Sequence, residues 1–499
     1  MTITNNEMAR EDSSASAPES GGRPPGRRSW TAVGVSTTLL ACFTVALFLP
    51  LPSITIGVLA ICTMLTLMFL RVPVAVAMIV PSLIAMYNLR GPRAATGALG
   101  SLPFDAIASW TLSVVPMFVL MGMLLSQSGV ASSVYSAARQ WLGWLPGGLA
   151  VGTTGAGAGL AAVSGSSVAT TYTLTKIGVP EMLRAGYDKR LALGAVMVAG
   201  LPGQLIPPSI LLIIYAGVAE VPVGKQLLAG LGPGLVVAVL FALIIIAVVA
   251  VTPRLAGSRE VQSPEVTWKS RFASLIPTWP IPALIAIIVV GMFTGVVTAT
   301  EAGAFAALFA IVVLVVNTRH TNTTWRQLSA ACTGTVSTVG AIFLLLIGVE
   351  MLSRMMALTG ISTKFSDVIT SWDLSRVEFL LLMTVVYLVL GAFMESLPMI
   401  LLTVPILIPT LTALDISLLW FGAFVVLMGE IAMLTPPVGI LSMIVYAIVR
   451  DPSVNMGQKI TIRDVFVSVG WFLPGAAVVV GVLIAFPEIS TWLPDRGSG

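Results

Sequence analysis

The chain has 499 residues, of which 57% are hydrophobic and only 10% are charged, and its net charge is +4. A soluble globular protein carries about 25% charged residues, so this composition excludes that class and predicts a polytopic membrane protein. At roughly 20 apolar residues per span, the chain has room for about a dozen crossings. The small positive charge reports which loops face the cytoplasm, and we expect no nucleic-acid binding.

The N-terminal residues 1–29 are polar and rich in Ser, Pro, Gly and Arg. We expect a disordered cytoplasmic tail, because such a segment cannot bury enough apolar surface to fold. Arg23, Arg27 and Arg28 directly precede the first apolar stretch, and basic residues in this position place the N-terminus in the cytoplasm. That stretch, residues 30–50, predicts a first transmembrane helix.

The stretch Ala162–Pro180, AVSGSSVATTYTLTKIGVP, is hydrophobic enough to enter a membrane, yet its middle is Gly, Ser and Thr. Irregular backbone at membrane depth is tolerated only where protein surrounds it or where it lines a watery cavity. We therefore predict a re-entrant helical hairpin near residues 162–181, with Gly165, Ser166 and Ser167 at its tip.

Residues 191–219 predict a broken helix, interrupted at the Pro207-Pro208 pair. Proline removes a backbone donor and clashes with the preceding helical turn. Gln204 is the only side-chain amide in this segment, and Ser209 follows the prolines. Broken membrane helices are the best sequence pointer to a transporter's binding site.

The second half repeats these features at a nearly constant offset. Gly165 corresponds to Gly391, an offset of 226 (391 − 165), and Pro207 corresponds to Pro436, an offset of 229 (436 − 207). Such internal symmetry predicts a repeat architecture. We expect a second hairpin near residues 391–410. We also expect a second broken helix over 421–449, interrupted at Thr435, Pro436 and Pro437.

A polar, basic segment, residues 252–278, divides the chain into repeats 51–251 and 279–490, with a tail at 491–499. Placing the basic loops in the cytoplasm makes this segment a cytoplasmic linker and the tail periplasmic. The first hairpin then enters from the cytoplasm and the second from outside, so the repeats are inverted. The predicted fold is therefore an all-α polytopic membrane protein with two re-entrant hairpins and two broken helices.

Seven sequence blocks make the chain similar to the large membrane (permease) subunit of the tripartite ATP-independent periplasmic (TRAP) transporters. These blocks are PMFVLMGMLLSQSGV, LPGG, SGSSVATTYTLTKIGVPEM, LIPPSI, GVVTATEAGA, GAFMESLPMILLTVPILIP and GEIAMLTPPVG. The resemblance implies an elevator carrier, in which a fixed scaffold holds a transport domain built from both hairpins and both broken helices. It also implies uptake of an organic acid across the bacterial inner membrane, driven by sodium. The implied partners are a small membrane subunit and a periplasmic substrate-binding protein.

Sodium prefers oxygen ligands, which backbone carbonyls at helix breaks and side-chain hydroxyls supply. We predict one sodium site at the first hairpin tip and one at the second, with candidate residues Gly165, Ser166, Ser167, Thr170, Glu395, Ser396 and Thr435. The substrate-site candidates lie at the helix breaks and are Gln204, Pro207, Pro208, Ser209, Pro436, Pro437 and Gly439. For any one Ser or Thr, the alternative is a hydrogen bond to its own helix backbone. No organic cofactor and no transition metal are expected.

Four carboxylates lie in apolar segments, Glu301, Glu350, Glu395 and Glu430. Charge at membrane depth is costly and usually functional. Glu395 lies at the second hairpin tip and is the best candidate for contact with a cation. Glu301 and Glu350 are alternatively structural, for example paired with Arg354.

Three other protein classes are alternatives to this family. An ABC-type permease or a primary pump does not explain the hairpin symmetry, and the chain has no Walker motif. An intramembrane hydrolase with Ser166 or Ser167 as nucleophile would need an activating base. Lys176 lies about ten residues further along the chain, and His320 lies outside the apolar segments. We therefore predict that the chain is not an enzyme. A stand-alone sodium-coupled carboxylate carrier of the same architecture remains an alternative.

Overall fold

The computed structural model describes residues 27–257, 267–320, 323–436 and 438–497. Within these ranges the regular structure is helical, with no strand. The expected disordered tail lies outside the described residues, except for its last three residues, which begin the first helix at Arg27.

Eleven helices make up the first half of the described chain. The first six are α1 (Arg27–Ala46), α2 (Ser53–Phe69), α3 (Val74–Arg90), α4 (Pro92–Ile107), α5 (Val114–Gln127) and α6 (Val130–Leu142). The next five are α7 (Gly148–Ser164), α8 (Ser167–Arg184), α9 (Lys189–Val198), α10 (Ile210–Val218) and α11 (Val223–Val251).

The described second half continues in the same way. Its helices before the second break are α12 (Trp268–Leu275), α13 (Pro280–Phe293), α14 (Ala299–Thr318), α15 (Thr324–Thr359), α16 (Ile361–Ser371), α17 (Arg376–Gly391), α18 (Ser396–Ala413) and α19 (Leu418–Ala432). The remaining five are α20 (Ile440–Ile448), α21 (Pro452–Asn455), α22 (Ile462–Gly470), α23 (Leu473–Ala485) and α24 (Glu488–Arg496).

Five helical segments among the described residues are long and apolar enough to cross a membrane, and two bent helix pairs would bring the number to seven. The bends are 57° between α4 and the segment Thr111–Gln127, and 58° between Trp268–Thr278 and α13. The estimate of a dozen crossings is higher because several apolar helices are short. α2, α3 and α7 have 17 residues each and α19 has 15.

The first predicted hairpin is formed by α7 and α8, which we call hairpin 1. Its turn falls at the predicted tip, where Gly165 has φ +64° and the Ser166 side chain caps α8. The hairpin is longer than predicted, because its first arm begins at Gly148 and its second continues through Pro180 to Arg184. Glycines in the first arm allow close helix packing rather than ending the helix. At Gly157, for example, a Cβ would collide with Ala199, which directly follows α9.

The second hairpin, hairpin 2, is formed by α17 and α18, with residues 392–395 as its turn. Its first arm begins at Arg376, so it also extends beyond the predicted range of 391–410. Pro405 and Pro409 lie inside α18. Prolines are tolerated inside membrane helices because neighbouring groups satisfy the freed backbone.

Both predicted broken helices are present. In the first, α9 and α10 are separated by residues 199–209, which include a 3-10 turn at Pro202–Gln204. In the second, α19 and α20 are separated by residues 433–439, of which 437 lies outside the described part.

The two halves share one register at their hairpins. The second arms, α8 and α18, have 18 residues each and start 229 residues apart (396 − 167). A Cβ at Gly200 would lie 3.3 Å from Cα of Ser167, and a Cβ at Gly429 would lie 2.9 Å from Cβ of Ser396. Gly429 lies 229 residues after Gly200 (429 − 200), which is the same offset as that between Ser396 and Ser167. The predicted internal repeat is therefore visible in the packing of individual residues, at an offset of 229 rather than the 226 predicted at the hairpin tip.

Two groups of helices surround the site, and small residues account for several of their internal contacts. One group, the scaffold group, contains α2, α3, α5, α14 and α15. In it, Gly303 of α14 faces α5, and Gly348 of α15 faces α3, with a Cβ at Gly348 only 3.1 Å from Cβ of Met78. The other, the hairpin group, contains both hairpins and both broken helices. Its halves are joined by Tyr215 of α10, whose hydroxyl donates to the Leu418 carbonyl at 2.7 Å.

Two segments predicted from polarity contain helices. Residues 491–496 of the predicted tail at 491–499 continue α24. This helix packs on α11, where Ser490 donates to the Ala229 carbonyl at 2.9 Å. The predicted linker is partly helical, because Trp141 of α6 packs on Phe272 of α12 with ring centroids 5.5 Å apart. Linker residues 258–266 lie outside the described part.

Replacing Asp464 by alanine should lower the free energy of unfolding by about 2 kcal/mol. The buried Asp464 side chain pairs with Lys189 at 2.8 Å and with Arg190 at 3.3 Å, and so fixes the start of α9 on α22. Without it, both cations lose their carboxylate partner, and Lys189 keeps only its hydrogen bond to the Lys459 carbonyl. Thermal unfolding in detergent measures the effect, with Asp495→Ala, an exposed acid of α24, as the control. Equal melting temperatures for the two variants would contradict the prediction.

Candidate functional site

The tips of the two hairpins meet at one cavity of about 450 Å³, which we call the tip cavity. Both broken helices and α15 complete its wall. Its described polar and glycine lining consists of Gly165, Ser166, Ser167, Gln204, Ser337, Thr338, Glu395, Ser396 and Glu430. The cavity therefore collects residues from sequence positions more than 260 apart, and six of them are predicted site residues.

Gln204 holds the tip of hairpin 1 through the backbone. Its side-chain oxygen accepts hydrogen bonds from the N–H groups of Ser166, at 3.0 Å, and Ser167, at 2.9 Å. This amide orientation is assigned from the network, since the reverse would turn the NH2 group toward donors. The N–H groups at the start of α8 have no partner inside the helix, so Gln204 satisfies donors that the turn leaves open.

Glu430 contacts both hairpin tips. It lies in the last turn of α19 with 1% of its surface exposed. One carboxylate oxygen accepts a hydrogen bond from the Ser167 hydroxyl, and the other accepts one from the Ser396 hydroxyl at 3.0 Å. Ser167 and Ser396 are the first residues of α8 and α18. A single buried carboxylate thus joins the starts of the two second arms.

Glu395 precedes α18 and is exposed, and it lines two cavities. One is the tip cavity, and the other is a neighbouring space of about 330 Å³ that also contains Arg71, at the turn between α2 and α3. At the same place Phe69 of α2 contacts Phe393 of the hairpin 2 turn, with ring centroids 5.8 Å apart. The hairpin 2 tip therefore touches the scaffold group at this turn.

Three predicted hydroxyl residues are engaged locally and do not line the tip cavity. Thr170 contacts the Ser164 hydroxyl at 3.2 Å. Ser209 caps α10 by accepting from the Leu212 N–H at 3.2 Å. Thr435, in the second break, donates to backbone carbonyls at the end of α19, those of Ile431 and Ala432, at 3.0 Å. The structure does not bring Thr435 to Glu395 and Ser396 as part of one cavity.

The proline and glycine candidates shape the backbone. Pro207-Pro208 is a cis peptide bond at the break between α9 and α10. Pro436 is exposed in the second break, and Gly439, with φ +54°, precedes α20. Pro437 lies outside the described residues. The described substrate-site candidates Pro207, Pro208, Pro436 and Gly439 do not line the tip cavity, so their part in the site is to end helices near it.

The remaining intramembrane acids have separate surroundings. Glu301 forms a capping box with Thr298 at the start of α14, which is a structural role. Glu350 lines a third cavity, of about 540 Å³, together with Glu220. Among the described residues, Glu350 and Arg354 form no ion pair within 4.0 Å.

Sequence reasoning missed the contribution of α15 and the central place of Glu430. Ser337 and Thr338 bring hydroxyl groups from α15 to the tip cavity. The signal was the polar run TGTVSTVG inside a long apolar helix. For Glu430 the acid itself was noticed, but nothing in the sequence pairs it with a serine 263 residues away.

Two re-entrant hairpins and two broken helices around one polar cavity define a membrane carrier. The chain belongs to the family described as the tripartite ATP-independent periplasmic transporter, DctM component, whose model matches residues 61–489. The family predicted from the seven sequence blocks is therefore confirmed. The chain is a multi-pass large permease subunit, and the prediction that it is not an enzyme is also confirmed.

Curated relatives agree with this assignment. The "C4-dicarboxylate TRAP transporter large permease protein DctM" of Vibrio cholerae is 28% identical over 453 residues, covering 86% of this chain and 95% of the relative. The protein of the same name from Pseudomonas aeruginosa is 31% identical, covering 78% and 86%. The "Ectoine TRAP transporter large permease protein TeaC" of Halomonas elongata is 26% identical, covering 87% and 98%.

A solved structure supports the fold. The YdaH transporter of Alcanivorax borkumensis matches with a TM-score of 0.58 at 15% identity, over 79% of this chain and 90% of that chain. At this identity the likeness concerns the fold alone. It agrees with the predicted all-α membrane architecture.

Proposed function

We propose that the chain takes up a small organic acid across the bacterial inner membrane, coupled to sodium and working by an elevator movement of the hairpin group. The observation that carries this proposal is the charge of the tip cavity. Its described lining includes two carboxylates, Glu395 and Glu430, and neither Lys, Arg nor His.

An anion entering such a cavity meets like charge in a medium of low polarity. Repulsion between unit charges there is stronger than in water, and salt screens it less than it screens charges on an open surface. A bound cation offsets this repulsion. The acid therefore binds more tightly when a cation is bound in the cavity than when it is not. The serine hydroxyls and the turn backbone of both tips supply the oxygen atoms that sodium prefers. This arrangement supports cation-coupled binding of an organic acid.

The elevator part rests on the two groups of helices. The tip cavity has the hairpin group on one side and α15 of the scaffold group on the other. Within the hairpin group the contacts are close, as at Gly157 and Gly429. The two groups also touch at Gly122 of α5, where a Cβ would lie 2.8 Å from the Val163 carbonyl oxygen of α7. Rigid groups that meet at a cavity can move against each other with the ligand between them. We therefore propose that the hairpin group carries the cavity past α15.

The proposed partners are a small membrane subunit and a periplasmic substrate-binding protein, as the tripartite family implies. The relatives' names mention C4-dicarboxylates and ectoine. An organic acid in this size range fits a cavity of about 450 Å³. We place the N-terminus in the cytoplasm, following the arginines that precede α1.

Uptake by proteoliposomes tests the proposal. The chain and its small subunit are reconstituted, labelled organic acids are supplied outside, and binding protein and sodium gradient are each added or omitted. We expect uptake only when both are present. Uptake undiminished without sodium would defeat the coupling. Uptake undiminished without any binding protein would defeat the tripartite mechanism and favour the stand-alone carrier.

The α15 wall gives a further prediction. Thr338→Val removes one hydroxyl from the tip cavity at almost constant volume, and we expect the KM for the acid to rise about 3- to 10-fold. Thr333→Val, on the same helix but outside the cavity lining, is the control and should leave KM unchanged. Identical KM values for the two variants would show that α15 does not contact the substrate.

A further inference from the structure

We infer that Glu430 is a positioning residue that couples the two hairpin tips, so that occupation of one tip by a cation prepares the other. The inference deepens the proposed function and rests on it for the identity of the cation. It goes beyond that function because it assigns communication between the halves to one side chain.

Each hairpin tip contacts a different oxygen of the Glu430 carboxylate. Ser167 donates to one oxygen of Glu430, and Ser396 donates to the other. All three side chains are buried, with 1% to 3% of their surfaces exposed. A hydroxyl has one proton, and here each serine directs that proton to Glu430. The oxygen lone pairs of both serines are then free for a cation on the cavity side.

The repeat provides this link only once. In the register that relates the two hairpins, the residue 229 positions before Glu430 is Leu201, which is fully buried (430 − 229). Ser167 and Ser396 are equivalent in the same register. A leucine therefore suffices for packing at this position, whereas a buried carboxylate is costly. The carboxylate is an addition in the second half that reaches across to the first.

The two hairpin tips are coupled because they share the Glu430 carboxylate. A cation that draws on the Ser396 oxygen polarises its hydroxyl, strengthens the hydrogen bond to Glu430, and so shifts the carboxylate with respect to Ser167. Hydrogen bonds in such networks polarise one another, and their energies are not additive. Substituting either serine should therefore alter the response of the other tip to cations.

A double-mutant cycle tests this coupling. Ser167→Ala, Ser396→Ala and the double variant are compared in the complete membrane complex. The first readout is the melting temperature in choline chloride, without sodium. The second is the sodium concentration that gives half of the maximal thermal stabilisation. We expect each single variant to raise this concentration about 5- to 10-fold, and the double variant to raise it by no more than twice the larger single effect. Glu378→Gln, an exposed capping acid of α17, is the control.

Glu430→Gln supplies the second arm. Its amide oxygen can still accept from one serine, but its NH2 group must donate to the other, which reverses one hydrogen bond. In this background the two serine effects should multiply to within about 2-fold. If they multiply in the parent chain as well, the coupling is refuted, and this outcome does not depend on whether Glu430→Gln folds.

The two proposals fail in different ways. If sodium does not stabilise the parent chain, sodium coupling fails, while non-additive melting temperatures in choline chloride still support the link between the tips. If sodium stabilises the parent chain and the serine variants respond independently, the link through Glu430 is overturned and the proposed function stands.

Discussion

Replacing Gly203 by alanine is expected to reduce uptake to background and to destabilise the protein by about 1–3 kcal/mol. Gly203 lies in the 3-10 turn between α9 and α10, against the first arm of hairpin 1. A Cβ there would lie 2.5 Å from the Ala158 carbonyl oxygen and 2.6 Å from the Ala162 nitrogen. Both are backbone atoms of α7, so the helix itself must shift, and the tip moves with it.

The matched control is Gly340→Ala on α15, where a Cβ would meet no atom within 4 Å. Its backbone is helical, so alanine should be neutral or slightly stabilising. Uptake and thermal unfolding in detergent report both effects. A Gly203→Ala protein with the melting temperature and uptake of the Gly340→Ala protein would show that the contact between turn and hairpin is looser than the structure indicates.

The substitution of the next residue, Gln204→Leu, nearly keeps the side-chain volume. We expect it to lower uptake at least about 10-fold. Leucine leaves the N–H groups of Ser166 and Ser167 without the oxygen that now accepts from them. An unsatisfied buried donor costs roughly 1–3 kcal/mol, so the tip should leave its present position. Hydrogen exchange at the start of α8 should rise together with the loss of uptake.

Gln204→Glu separates hydrogen bonding from charge. Glutamate keeps an acceptor for both N–H groups, so the melting temperature should lie nearer to that of the parent chain than the Gln204→Leu value does. It also adds a third carboxylate to the tip cavity, and we expect a higher sodium affinity or a weaker acid affinity. Equal melting temperatures for the two variants would mean that the amide does not hold the tip.

The hairpin tips and helix breaks could be predicted because their chemistry is local. Gly165 and Ser166 interrupt an apolar run, and a double proline ends a helix in any surroundings. Internal repetition then located the second set without further information. The sequence blocks that identify the family include these tips and breaks, so the family could be predicted as well.

The extent of the arms and the connections between halves could not be predicted. α7 looked like a separate glycine-rich helix, because its pairing with α8 depends on tertiary packing, for example of Gly178 in α8 against Thr153 in α7. Polarity suggested a tail at residues 491–499, whereas Ser490 anchors α24 to α11. Thr435 had the residue type of a ligand, but its hydroxyl bonds to a backbone carbonyl at the end of α19. The contact of Glu430 with Ser167 joins positions that no short-range pattern relates.

The contact between Phe69 and Phe393 has a consequence for the speed of the carrier. It joins the end of α2 to the tip of hairpin 2, at a ring distance of 5.8 Å. If the hairpin group travels as proposed, these rings must part and meet again in every cycle. An aromatic pair contributes about 1 kcal/mol, which corresponds to roughly a 5-fold change in rate when it is lost only in the transition state. Under the proposed movement, this pair of rings therefore controls the turnover number rather than the affinity.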